Sequence, residues 1–160
     1  MQNAVCKLLL LTVLLLVACT GDKEKVYRYA GGKICLETVG DYSILRHIPC
    51  DGNAPSEFLL PYPTFRFACG DLTGDGLPEI GVGVIKRTRF SPEPDKRLWV
   101  FHLTEGRLIR PLWMGSHVGG RLRDFRFDGD RIVTSEYTRT DSLVQRTYRL
   151  GAFGLEYVTL

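Results

Sequence analysis

Hydrophobic and polar residues alternate with a period of two along most of this chain. Residues 65–69 read Phe-Arg-Phe-Ala-Cys, and residues 80–84 read Ile-Gly-Val-Gly-Val. Such alternation places one set of side chains on each face of a β-strand, so Phe65, Phe67 and Cys69 are expected to face the same way. No stretch of ten or more residues has the period of an amphipathic helix, and Gly and Pro interrupt the chain often. The pattern predicts an all-β protein.

The alternation predicts strands throughout the chain after residue 25. These are residues 26–29, 33–38, 42–48, 65–69, 79–86, 97–103, 108–113, 122–127, 131–138, 143–150 and 155–160. Residues 98–101, Leu-Trp-Val-Phe, are apolar on both faces, which predicts a strand that is covered on both sides. Gly81 and Gly83 leave one face of their strand bare, so a neighbouring layer can approach closely there. Residues 88–96 are expected to form an exposed loop.

The predicted strands fall into two similar units, residues 65–114 and 121–160, which follow an N-terminal half unit. Each full unit supplies four strands, which is the content of one β-propeller blade. Two blades and a half unit cannot close a propeller, because closure needs at least about four blades. The predicted fold therefore consists of antiparallel four-stranded units resembling propeller blades. They pack as a small sandwich or partial propeller, unless several copies of the chain complete a ring as a homo-oligomer.

The first residues have the organisation of a secretory signal. Lys7 precedes an apolar run, residues 8–17, that is too short to span a bilayer. Leu16-Val17-Ala18-Cys19 follows, and this segment resembles the lipobox of bacterial lipoproteins. The resemblance implies a signal peptide over residues 1–18, a diacylglyceryl group on the sulfur of Cys19 and acylation of the new amino terminus.

Residues 19–25 would then be a lipidated cysteine and a short polar stalk, and residues 26–160 an all-β domain. The implied location is the bacterial cell envelope, with the membrane bound through the lipid anchor. Thr20 follows Cys19, and this pair resembles lipoproteins that are directed to the outer membrane. The outer membrane, on its periplasmic or its surface face, is therefore expected over the inner one.

Charge argues against nucleic acid as a partner. The sequence holds 21 Lys and Arg against 18 Asp and Glu, for a formal net charge of +3. The basic residues alternate with acidic ones, as in residues 121–128, and no concentrated basic stripe is visible in the sequence.

Few residue patterns in the sequence indicate catalysis. Ser116 and His117 are adjacent on one extended segment, where their side chains diverge, and His47 and His102 have no carboxylate close by in sequence.

Three cysteines lie in the predicted domain: Cys35, Cys50 and Cys69. Outside the cytosol, three thiols allow one intramolecular disulfide and leave one free thiol. Cys35 and Cys50 would face each other across a hairpin that turns near residues 40–41, which favours this bridge and leaves Cys69 buried. A Cys50–Cys69 bridge and three buried thiols remain open alternatives.

The most specific motif is residues 71–79, Asp-Leu-Thr-Gly-Asp-Gly-Leu-Pro-Glu, called here the 71–79 loop. Oxygen-bearing side chains at relative positions 1, 3, 5 and 9, with glycine at position 6, can surround a hard cation such as calcium. The candidate ligands are the side chains of Asp71, Thr73, Asp75 and Glu79 and the backbone carbonyl of Leu77. The alternative is a turn whose carboxylates cap backbone amides.

The motif resembles the Asp-x-Asx-x-Asp-Gly-x-x-Asp loop of FG-GAP and related propeller-type repeats. In that family the loop joins two strands and binds calcium, within modules used for adhesion and binding. Here Thr73 replaces the usual Asp or Asn, and Glu79 replaces Asp. The resemblance implies a calcium cofactor and a non-catalytic binding or scaffold module with a protein or glycan ligand. A small envelope hydrolase or glycan-active protein and a self-assembling structural subunit are the alternatives.

Overall fold

The computed structural model describes residues 24–89, 91–115 and 117–159. Within them the chain forms strands and no helix. The strands are β1 (Lys25–Tyr29), β2 (Gly32–Val39), β3 (Tyr42–Pro49), β4 (Ser56–Leu60), β5 (Thr64–Gly70), β6 (Glu79–Thr88), β7 (Ser91–Thr104), β8 (Leu108–Trp113), β9 (Arg121–Asp128), β10 (Arg131–Tyr137), β11 (Leu143–Gly151) and β12 (Gly154–Tyr157). No helix that could cross a membrane is found in the described part of the chain. The predicted signal peptide and Cys19 lie outside the described residues.

The strands form three four-stranded antiparallel sheets. Sheet 1 contains β1 to β4, sheet 2 contains β5 to β8 and sheet 3 contains β9 to β12, and in each sheet neighbouring strands are also neighbours in sequence. The prediction of an all-β fold built from antiparallel four-stranded units is confirmed. The expected N-terminal half unit is instead a complete sheet, because Ser56–Leu60 pairs with β3 as a fourth strand. That segment is short and stands between Pro55 and Pro61, so its place in a sheet comes from pairing with β3 and not from local pattern.

Sheet 2 lies between the other two sheets and is packed on both faces. Ile80, Val82 and Val84 of β6 join a core with the inner face of sheet 1. Leu98 and Val100 of β7 join a second core with sheet 3. Trp99 and Phe101 of β7 lie in the core with sheet 1, so the prediction that residues 98–101 are covered on both sides is confirmed.

A bare backbone at Gly81 lets sheet 3 contact sheet 2 closely. A Cβ atom at Gly81 would lie 2.8 Å from ring atoms of both Phe125 and Phe127. Phe125 is almost fully buried at this contact. Burial of a phenylalanine side chain contributes about 1.5–3 kcal/mol, so the bare face has a direct packing role.

Two expectations about sheet 2 are wrong. A register shift between Thr64 and Arg66 in the pairing of β5 with β6 places Phe65 in the core with sheet 3, whereas Phe67 and Cys69 pack on the core with sheet 1. A bulge of this kind inserts one residue and reverses the face of the side chains beyond it, so Phe65 does not share a face with Phe67.

The expected loop over residues 88–96 is mostly strand, since β7 begins at Ser91 and Lys86 pairs with Asp95. β8 pairs only with Val100–Thr104, so residues 91–96 have one unpaired edge. A proline is tolerated at such an edge because the ladder does not need its missing N–H, and this accommodates Pro92 and Pro94.

The three cysteines of the described domain are free thiols. Cys35 stands opposite Arg46 in the β2–β3 pair, and the Cys50 N–H donates to the carbonyl of Gly31 at 3.0 Å. Cys50 is therefore four strand positions beyond the residue opposite Cys35, about 13 Å along the strand. A disulfide needs Cα atoms within about 7 Å, so the expected Cys35–Cys50 bridge is not formed. Burial raises the pKa of the Cys69 thiol, as expected for a core cysteine.

Candidate functional site

The 71–79 loop joins β5 to β6, and the Asp71 carboxylate organises it. Asp71 Oδ1 accepts hydrogen bonds from the N–H groups of Gly74 at 2.7 Å and Asp75 at 3.2 Å, and Oδ2 accepts one from Gly76 at 2.8 Å. The bond from Gly76, with those from the other loop amides, lowers the pKa of Asp71. Gly76 has φ of +83°, a conformation that favours glycine and gives the sharp turn expected at this position.

Glu79 closes the loop from inside the protein. Its side chain is buried, with Oε2 accepting the Leu72 N–H at 2.7 Å and Oε1 accepting the Thr73 hydroxyl at 3.4 Å. Burial raises the pKa of the Glu79 carboxyl, and the negative charges of Asp75 and Asp71 raise it further. The carboxylates of Asp75 and Asp71 therefore repel the buried carboxylate of Glu79.

The remaining predicted ligands lie in the same turn. Asp75 Oδ1 accepts the N–H of Leu77 at 2.8 Å, so Asp75 and Leu77 are held together as in an Asx turn. All five predicted ligands supply oxygen atoms, which suits a hard cation. Among the described residues, however, no group of three or more His, Cys, Asp or Glu side chains is arranged to hold a metal ion. The donor chemistry fits calcium, while the carboxylates shown here mainly accept backbone and hydroxyl hydrogen bonds.

A second site begins at the junction of sheets 2 and 3 and continues onto sheet 3 as a row of four depressions. Their volumes are about 390, 570, 480 and 280 Å³ in order along the row. Arg146 lines the first and second depressions, Arg121 the second and third, and Arg123 the third and fourth. Neighbouring depressions therefore share a lining arginine, and the row of four is called here the basic groove.

Cationic side chains outnumber acidic ones along the basic groove. The cationic residues are Arg66, Lys96, Arg121, Arg123, Arg139 and Arg146, and the acidic ones are Asp95, Asp124 and Asp141. The cations come from β5, β7, β9, the β10–β11 turn and β11. Folding gathers them from distant parts of the sequence, so a search for a contiguous basic stripe could not find this groove. The Arg-x-Arg pair of residues 121–123 was its only local signal.

A buried glutamate fixes the side chains at one end of the basic groove. Glu136 has no exposed surface, and its Oε1 accepts the hydroxyls of Thr134 at 2.5 Å and Tyr148 at 2.9 Å. Its Oε2 accepts the Arg146 guanidinium at 2.8 Å, and the Tyr148 hydroxyl accepts the Gly119 N–H at 2.8 Å. Burial raises the pKa of Tyr148, which keeps its hydroxyl a donor. The network orients Arg146 and Tyr148 from beneath.

Aromatic rings accompany the cations along the basic groove. The Arg121 guanidinium lies 5.0 Å from the centre of the Tyr137 ring, within the range of a cation–π contact, and also pairs with Asp141 at 2.8 Å. Tyr157 is 59% exposed beside Tyr148, with their ring centres 5.9 Å apart. The groove therefore combines charged, hydrogen-bonding and flat apolar surfaces.

His47 and the described aromatic residues of sheet 2 have structural roles. His47 is fully buried, with Nδ1 within 2.9 Å of the Arg107 carbonyl and Nε2 within 2.9 Å of the Tyr29 hydroxyl, so both ring nitrogens are occupied. The described aromatic residues of β5 to β8 pack in the two cores, as expected for a β-sheet interior. Burial lowers the pKa of His117, and the positive charge of Arg97 lowers it further; Ser116 lies outside the described residues.

Two features of the chain thus merit a functional interpretation: the 71–79 loop, with its oxygen donors, and the basic groove, with its fixed arginines and tyrosines. They lie on different parts of the fold and use different chemistry. Comparison with protein-family models, curated proteins and solved structures gives no match to this chain.

The network beneath the basic groove predicts a specific stability difference. Glu136→Gln removes the charge that faces Arg146 and leaves an amide in a buried site built for a carboxylate, so unfolding by urea should become easier by about 1–3 kcal/mol. Glu156→Gln is the matched control, because Glu156 is half exposed and meets Arg149 at 3.4 Å. Exposed pairs contribute about 0–1 kcal/mol, so the control should change little. Equal effects of the two variants would contradict the role assigned to Glu136.

Proposed function

We propose that this chain is an envelope-anchored lipoprotein whose β-domain is a non-catalytic binding module. The basic groove carries the binding part of the proposal, because it joins four depressions and is lined by cations that the fold gathers from separate strands. The lipobox-like residues 16–19 support the anchor. Three consecutive four-stranded meanders support a relation to propeller-type repeats, whose modules serve binding and adhesion.

Binding without turnover is tested by sedimentation with lipid-extracted envelope material from the bacterium that encodes the chain. The full chain, held in detergent micelles, should sediment with this material and release no soluble fragment from it. Arg121→Ser with Arg139→Ser removes two groove cations and should weaken binding about tenfold or more, as loss of charged contacts costs about 1.4 kcal/mol or more.

The control for this experiment changes the same number of charges outside the basic groove. Arg131 and Arg149 lie in sheet 3 with side chains about half or more exposed, and neither lines the groove. Arg131→Ser with Arg149→Ser should leave sedimentation unchanged. Release of soluble fragments by the parent chain would favour the hydrolase alternative, and equal loss in both double variants would remove the groove as the binding surface.

The anchor is tested at the cysteine that the lipobox resemblance identifies. Cys19→Ser should block incorporation of labelled palmitate and leave the signal uncleaved at this position, because the acceptor sulfur is lost. The parent chain should be labelled and should partition with the membrane fraction, since more than one acyl chain makes anchoring stable. Equal labelling of the Cys19→Ser chain would show that the proposal of a lipoprotein is wrong.

A structural calcium ion at the 71–79 loop is the second part of the proposal. The ligands would be the side chains of Asp71, Thr73, Asp75 and Glu79 and the carbonyl of Leu77. A bound cation would offset the repulsion that Asp75 and Asp71 exert on the buried Glu79 carboxylate. Its role would be to fix the connection between β5 and β6, with no part in any reaction.

Calcium at about 10 mM should raise the melting temperature of the full chain relative to chelator. Sites of extracellular modules have dissociation constants of order 0.1–1 mM, so this concentration stabilises the fold by about 1.4 kcal/mol or more. The shift should be a few degrees for a domain of this size. Asp75→Ala should abolish the response, whereas Asp128→Ala, in the short Asp-Gly-Asp turn after β9, should retain it. An unchanged melting temperature in the parent would leave the 71–79 loop as a carboxylate-capped turn.

A further inference from the structure

We infer that the basic groove binds an acidic polysaccharide, with its anionic groups against the arginines and its sugar rings against the tyrosines. This inference rests on the proposed binding function and names the class of ligand for the same groove. Three properties of the groove support it: its row of separate cations, the way these cations are paired and its exposed tyrosine ring.

The basic groove offers several separate anion contacts. From Arg121 to Asp124 it follows three steps of β9, about 10 Å, and Arg146 on β11 is two strand spacings, about 10 Å, from Phe125 of β9. Arg146 lines the first depression of the row and Arg66 the last. A small anion would occupy one depression of this row, whereas a chain that carries repeated charges can contact the cations along all of it.

Two arginines of the groove, Arg121 and Arg146, are held in place but remain open to a ligand. Arg121 pairs with Asp141, whose side chain is 80% exposed, and an exposed pair of this kind contributes little free energy. A ligand anion can therefore replace Asp141 at small cost. Arg146 is fixed from below by buried Glu136 and presents a guanidinium of which part remains exposed to the groove. The planar guanidinium donates two parallel hydrogen bonds to carboxylate or phosphate oxygens.

The exposed tyrosine ring gives the ligand a second kind of contact. Tyr157 is the most exposed aromatic residue of the groove lining and lies at the end that Arg146 and Tyr148 form. A flat ring of this kind packs against the C–H face of a sugar while its hydroxyl stays in water. An acidic sugar satisfies both neighbours, because its ring meets Tyr157 and its charged group meets Arg146.

The proposed location favours a glycan over other polyanions. Nucleic acid also stacks on aromatic rings, but the implied envelope location places glycan polymers beside the domain. Membrane and nucleic acid are therefore alternatives that the experiment distinguishes.

The test uses the full chain in detergent micelles and fluorescently labelled oligogalacturonate, followed by fluorescence anisotropy. Binding should weaken severalfold between about 50 and 200 mM salt, because contacts between exposed charges are screened. Unlabelled dextran phosphate should compete and neutral dextran should not, which separates charge from the sugar backbone. Arg121→Ser with Arg139→Ser should reduce affinity tenfold or more, while Arg131→Ser with Arg149→Ser should not reduce it.

The ring contact is tested separately. Tyr157→Ala should lower affinity about threefold or more, consistent with the roughly 0.5–1.5 kcal/mol of an aromatic contact. Phe153→Ala is the matched control, because Phe153 is fully exposed in the same β11–β12 hairpin and does not line the groove. Equal affinity of the Tyr157 and Phe153 variants would overturn the sugar contact.

Three outcomes would overturn the inference. The first is that neutral dextran competes as well as dextran phosphate, and the second is that both arginine double variants lose affinity equally. The third is that anionic lipid vesicles or single-stranded DNA compete more strongly than dextran phosphate at equal charge. The proposed function fails separately. If envelope material sediments with the chain through Arg121 and Arg139 but no acidic glycan binds, the binding module stands and the ligand class is wrong. If envelope material does not sediment with the chain, the binding function itself is wrong.

Discussion

Direct contact between aromatic rings and bare backbone holds sheet 3 on sheet 2. Phe125 and Phe127 approach β6 so closely that even a methyl group at Gly81 would collide with both rings. This contact fixes the separation between β9 and the middle sheet. Lys96 reaches across the same junction to the carbonyl of Arg123 at 3.0 Å, and Arg66 reaches the carbonyl of Phe125 at 3.1 Å. The two depressions that Lys96 and Arg123 line have their shape because these short-range contacts set how far apart sheets 2 and 3 are.

A satisfied polar group is buried between sheets 1 and 2, and another is buried within sheet 3. Between sheets 1 and 2, His47 connects Tyr29 to the β7–β8 turn at the carbonyl of Arg107. At the open end of sheet 3, Glu136 connects Tyr148 and Arg146. A buried polar group is costly unless its hydrogen bonds are made, so each network permits one relative placement of its partners. The difference is accessibility: His47 is enclosed by protein, whereas the Glu136 network ends in side chains that reach solvent.

The sequence predicts the fold class well because strand alternation is a local signal. The two-sided packing of sheet 2 could be read from residues 98–101 and from Gly81, since both follow directly from which faces are apolar or bare. The face of Phe65 could not be predicted, because it depends on a register shift between two strands. β4 and the start of β7 were missed for a similar reason: pairing partners, not local pattern, make these segments strands.

The candidate sites differ in the same way. The 71–79 loop is contiguous, so its spacing and its glycine could be recognised, although the inward position of Glu79 needed the structure. The basic groove draws on separate strands and could not be read from one sequence. The burial of Glu136 could not be predicted, because a charged side chain in the strand of residues 132–137 is expected to face solvent. Only the position of Arg146 and Tyr148 on the neighbouring strand explains why a carboxylate is buried there.

The meander topology has a consequence for how the chain acquires its structure. Every hydrogen-bonded strand pair joins strands that are adjacent in sequence. The chain segments that must close to form these pairs are short, so their entropy cost is small. A chain that emerges from its amino-terminal end can complete sheet 1 before residue 64 is available, and sheet 2 before residue 121. Only the two interfaces between sheets require distant parts of the chain, and each needs just the preceding sheet as its template. The order of the sequence is thereby also an order of assembly.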